Sequence, residues 1–155
     1  MANEIDVQFA PNLGEVLPSI AQIQTWANAV LNGRSDNATM SIRIADEDEI
    51  TELNHTYRDK NTPTNVLSFP MEIPEEVGVN LLGDVVICAP VVAKEAAAQS
   101  KTLESHWAHM VIHGTLHLLN YDHINDDDAQ VMEAIEMEIM KSLGYDNPYQ
   151  PVETS

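Results

Sequence analysis

The chain has 155 residues, enough for one domain with a fair core and too few for two of ordinary size. Hydrophobic residues make up 44%, and no apolar run approaches the roughly 20 residues that span a bilayer, which argues against a helical membrane protein. Seven Lys and Arg against 25 Asp and Glu give a net charge of −18, which repels polyanions at long range and disfavours diffuse binding to nucleic acid or anionic membranes. Any phosphate chemistry must then rest on a local positive spot, such as a bound metal ion.

The opening MANEIDVQFA is acidic and lacks the basic n-region and cleavage site of a signal peptide. IDVQF (5–9) has strand character. Ile20, Ile23, Ala27, Val30 and Leu31 form an apolar stripe that predicts a helix from about Ser19 to Leu31, with Gly33 just past its end. TMSIRIA (39–45) alternates like a half-buried strand. Asp46 can cap a second helix to about Tyr57, with Glu49 completing what resembles a capping box. RDKNTPT (58–64) is a polar loop, and NVLSF (65–69) a strand that Pro70 stops. After a long connection, LGDVVICA (82–89) is another strand, and Pro90 suits the first turn of the helix that follows. Cys88 is the only cysteine, so no internal disulfide is possible, which suits a reducing cytoplasm. A helix spans about Leu103 to Leu119. The last begins near Asn125 with Asp126, Asp127 and Asp128 in its first turn, where the macrodipole favours anions, and ends before Gly144. The expectation is a single mixed α+β domain over 1–155, with about four strands and four helices.

The stretch HGTLHLLNYDH (113–123) carries the chemistry. His113 and His117 lie four apart on one helical face, so two ring nitrogens can meet at one point, each about 2.0–2.1 Å from a zinc ion. A third ligand cannot come from the same helix: His109 is eight residues from His117, roughly 12 Å along the axis. The chain has to turn back, and Asn120 is the best residue after glycine for the left-handed corner that ends a helix. Beyond it stands His123. These steps of four and six are those of the HExxHxxGxxH zinc-protease pattern, whose three ligands leave a fourth position open. His106 and His109 are read as lining the site or supporting the ligands from behind. Asp122 is a candidate to hold a ligand's second N–H.

In zinc proteases the residue after the first histidine is the glutamate base; here it is Gly114, so peptide hydrolysis is a poor fit. Three neutral imidazoles leave a divalent ion its full charge, which favours an anionic substrate and Lewis-acid chemistry. Gly114 also allows another backbone, or the substrate, to come close to the helix.

HWAHMVIHGTLHLLNYDH, with INDDDAQVMEAIEMEIMKSLGYDNPY after it and LNHTYRDKNTPTNVLSFP and LLGDVVICAPVV before it, resembles the YbeY family of bacterial endoribonucleases from about Ile50 to Tyr149. The resemblance implies a zincin-like α+β fold with a mixed sheet and one helix carrying the metal ligands. It implies a cytoplasmic, metal-dependent, single-strand-preferring endoribonuclease that matures the 3′ end of 16S rRNA and serves ribosome quality control. It assigns one Zn²⁺ per chain to His113, His117 and His123, and the functionally important arginine to Arg58. The implied partners are single-stranded rRNA and the ribosome or its associated proteins, with no membrane or DNA expected. Asn120 departs from the family's usual glycine. Asp59 stands where relatives often carry glycine; paired with Arg58 it would weaken phosphate binding, and facing solvent it would change nothing. Ser68 and Asp84 stay open as site residues. The alternatives are an assembly factor with a structural zinc and a metallohydrolase for another substrate.

Overall fold

Alternation along the strands fixes which side chains meet. The computed structural model describes residues 3–35, 37–71, 80–121 and 126–149. Four strands, β1 (Glu4–Phe9), β2 (Ala38–Ala45), β3 (Val66–Pro70) and β4 (Asn80–Cys88), form one sheet of order β1-β2-β4-β3. β1, β2 and β4 run parallel, and β3 pairs antiparallel with β4, opposing Val66 to Ile87 and Ser68 to Val85. Successive residues face opposite sides. Met40, Ile42, Ile44, Val85 and Ile87 therefore enter the larger core, whereas Ala45, Leu67, Val86 and Cys88 enter a smaller one.

The helices are α1 (Ile20–Leu31), α2 (Glu47–Arg58), α3 (Ala89–Ala98), α4 (Leu103–Leu118) and α5 (Asp126–Ser142). The described residues thus hold five helices rather than about four, with Pro90 in the first turn of α3 as the sequence predicts. Ile50 of α2 packs in the smaller core, while buried side chains of α1, α4 and α5 fill the larger. Ser19 caps α1 with a reciprocal capping box. Asp46 caps α2 through the Glu49 N–H at 2.8 Å, but the Glu49 carboxylate pairs with Arg43 instead, both contacts at 3.0 Å. The expected capping box is therefore made in one direction only. Among the described residues no helix is long and apolar enough to cross a membrane.

α4 is the central helix. Every residue from His106 to Leu118 is buried except His113 and His117. A helix apolar nearly all round belongs inside a core, and beyond its first turn this one surfaces only at its imidazole pair.

Cys88 sits on the other face of the sheet with no exposure. Burial disfavours its thiolate and pushes the thiol up to about 11. The native protein is accordingly expected to leave a thiol reagent unreacted at pH 8 while unfolded protein reacts within minutes; rapid native labelling, followed by absorbance, would contradict this burial.

Candidate metal centre and cleft

The end of α4 is built by its corner. Asn120 takes φ +71°, donating its N–H to the His117 carbonyl at 3.0 Å, and Tyr121 donates to Leu116 at 3.1 Å. That pair of bonds is the Schellman arrangement, satisfying two carbonyls the helix leaves open. The asparagine corner expected from the sequence is present. His123 and Asp122, beyond it, lie outside the described residues.

His113 and His117 do meet. Their Nε2 atoms lie 3.2 Å apart and the ring planes are nearly perpendicular, at 74°. Two nitrogens bound to one tetrahedral zinc at ~2.05 Å would stand about 3.3 Å apart. The pair therefore fits two positions on a single borderline cation.

Behind His113 stands a residue that sequence reasoning missed. Glu136 of α5, with no exposure, accepts from His113 Nδ1 through Oε1 at 3.2 Å. Its Oε2 meets His109 Nε2 and accepts the Tyr149 hydroxyl at 2.8 Å. Burial alone would raise this carboxyl, but the hydrogen bonds and charges of His109 and His113 prevail and hold it down at about 2. Burial and the Glu136 charge push the Tyr149 hydroxyl up, so it remains a donor. His109, His113 and Glu136 also offer ligand atoms within 4.8 Å of one another, a group able to hold a metal ion in its own right. His109 thus stands behind His113, and His106 pairs with Glu95 at 2.9 Å.

The two histidines open onto a cleft of about 560 Å³, also lined by Arg58, Lys60, Asn65 and Ser68. Arg58, at the end of α2, donates from Nη2 to the Ser68 carbonyl at 3.4 Å. Neither Arg58 nor Lys60 joins an ion pair among the described residues. Asp59 is exposed in the left-handed conformation (φ +57°), its N–H on the His55 carbonyl, and closes α2 rather than pairing with Arg58. Its φ explains why glycine suits this position. Ser68 turns toward α4, donating its hydroxyl to the Gly114 carbonyl at 2.9 Å. Asp84, on the opposite sheet face, accepts from Ser41.

Fold and site define an α+β protein whose central helix presents a candidate metal site at a cleft bearing two cations. Comparison with protein families matches residues 10–144 to Endoribonuclease YbeY, and the chain belongs to the YbeY endoribonuclease family, whose members process rRNA. The fold is similar to the solution structure of TM1509 from Thermotoga maritima, with a TM-score of 0.58 and 22% identity over 94% of this chain and 99% of that one. At that identity the likeness concerns the fold alone.

Proposed function

We propose that this chain is a cytoplasmic, zinc-dependent endoribonuclease that prefers single strands. It matures the 3′ end of 16S rRNA and takes part in ribosome quality control. His113, His117 and His123 hold one zinc ion, and Arg58 is the catalytic residue. The observation that carries the reading is the convergence of the His113 and His117 Nε2 atoms, 3.2 Å apart, in a cleft that Arg58 also lines.

When bound, zinc supplies Lewis-acid polarisation of a phosphoryl oxygen. The chain's own groups do the rest. Arg58 uses one donor on the Ser68 carbonyl, which fixes its fork at the cleft and leaves other N–H groups for phosphate oxygens. Those donors stabilise charge that grows on the phosphorus oxygens in the transition state. Lys60 adds a second positive charge to the same wall. With a net charge of −18 over the whole chain, attraction for RNA is confined to this cleft, so specificity falls to the ribosome or its proteins as partners.

The test is the purified wild-type protein. One zinc per chain is expected, with cleavage of single-stranded RNA that chelation abolishes and added zinc restores, and no cleavage of peptides. Cleavage that survives complete removal of metal would refute the proposal. The product ends identify the nucleophile: a 2′,3′-cyclic phosphate for the RNA 2′-OH, a 5′-phosphate for water.

A further inference from the structure

We propose that the C-terminal Tyr149 latches Glu136 against His113, and that Tyr149, Glu136 and His109 are positioning residues that aim the His113 ring into the cleft. The proposal rests on His113 being a metal ligand, as argued above.

An imidazole can rotate about χ2 and carry its proton on either nitrogen. Glu136 Oε1 on Nδ1 removes both freedoms: it favours the tautomer protonated there and leaves the Nε2 lone pair facing His117. A carboxylate behind a metal-binding imidazole also raises its basicity. That carboxylate must itself be held, because a buried charge is costly unless its acceptors are filled. Tyr149 and His109 fill Oε2, so the Glu136 plane stays fixed and Oε1 stays turned to His113.

The tail is anchored apart from this bond. Lys101 Nζ donates to the Pro148 carbonyl at 2.7 Å, and the Tyr149 ring stands edge-on to His109 at 5.3 Å and 86°. Tyr149 is 42% exposed while its hydroxyl reaches the buried carboxylate. Phenylalanine at this position keeps the ring contact and removes the hydroxyl alone, with its bond to Glu136 and its 3.3 Å contact to His109 Nε2. The segment after α5 is therefore part of the frame of the site. A cation held by His109, His113 and Glu136 themselves competes with this arrangement, because it would have to displace the donors that now occupy both carboxylate oxygens.

Zinc affinity measured by competition with a chromophoric chelator, beside long-range ¹⁵N–¹H spectra of the histidine rings, tests the latch. Outer partners of zinc ligands are typically worth 10–100-fold in affinity. Glu136→Gln is expected in that range. Tyr149→Phe, one bond further out, is expected to weaken binding roughly 3–10-fold with a less biased His113 tautomer and unchanged circular dichroism. Both variants keep one zinc at saturation. Unaltered affinity and tautomer in Tyr149→Phe overturn the latch alone. So does a second zinc equivalent in wild type that Glu136→Gln abolishes, which would make the cluster a ligand set. Wild-type zinc affinity in His117→Ala would instead sink the ligand reading and the latch with it.

Discussion

Arg58→Ala is expected to lower kcat/KM on single-stranded RNA by about 10²–10³-fold, the usual loss when one transition-state donor is removed, with zinc content and melting temperature left at wild-type values. The side chain is exposed and makes one long hydrogen bond, at 3.4 Å, to the Ser68 carbonyl. Its removal leaves no buried charge without a partner, so stability should stay within roughly 0.5 kcal/mol. The same facts explain why its charge is available: Asp59 turns away into a left-handed helix end, and no described carboxylate neutralises the guanidinium. Lysine at 58 keeps the charge and loses the planar fork, so Arg58→Lys should recover only part of the rate. His117→Ala gives the contrasting result, losing stoichiometric zinc and cleavage together. The pair separates binding of the ion from stabilisation of the phosphate. Wild-type cleavage by Arg58→Ala would remove this residue from the mechanism.

How far the site could be read in advance follows from the range of its interactions. The asparagine corner was legible because αL backbone excludes most residues, and Asn120 answered a local need at φ +71°. Asp59 obeys the same rule, but whether it ends the helix or pairs with Arg58 depends on where its side chain turns, which a local pattern does not set. The helix pair His113 and His117 was legible for the same local reason, since a step of four is set by the helix itself. Glu136 was not. It lies 23 residues from His113 and is joined to it only by the packing of α5 on α4. One signal was available: Glu136 shares the apolar stripe of α5 with Met132, Ile139 and Met140, all buried. A carboxylate on such a stripe needs a buried partner, and that need pointed inward to the histidines. Tyr149, beyond the last helix, gave no periodic signal at all. Asp122, a candidate to hold the second N–H of one of the histidines, lies outside the described residues, while Glu136 accepts from His113 Nδ1.

Gly114→Ala is expected to destabilise the protein by about 1–2 kcal/mol even though alanine is the better helix former by about 1 kcal/mol. A Cβ at 114 would stand 2.6 Å from Val85 Cγ1, 3.1 Å from Val66 Cγ2 and 3.4 Å from Ser68 Oγ. Val85 is fully buried and β-branched, so it cannot swing aside cheaply. Overpacking of this kind costs about 1–3 kcal/mol, which outweighs the gain in propensity. For a chain of this length the melting temperature should fall by roughly 3–6 °C. The strain also has a direction. α4 can relieve it only by moving off β3 and β4, which stretches the Ser68 bond to the Gly114 carbonyl. His113 and His117 would move with the helix, while Arg58 remains tied to the Ser68 carbonyl on β3. Cleavage should therefore fall more than the loss of folded protein explains. Val85→Ala removes the colliding methyl group, so the double variant should be more stable than the two single losses predict, by on the order of 1 kcal/mol. Paired thermal melts decide the matter. Strict additivity, or a neutral Gly114→Ala, would mean that the glycine is not there for strand contact and would return the position to the approach of substrate.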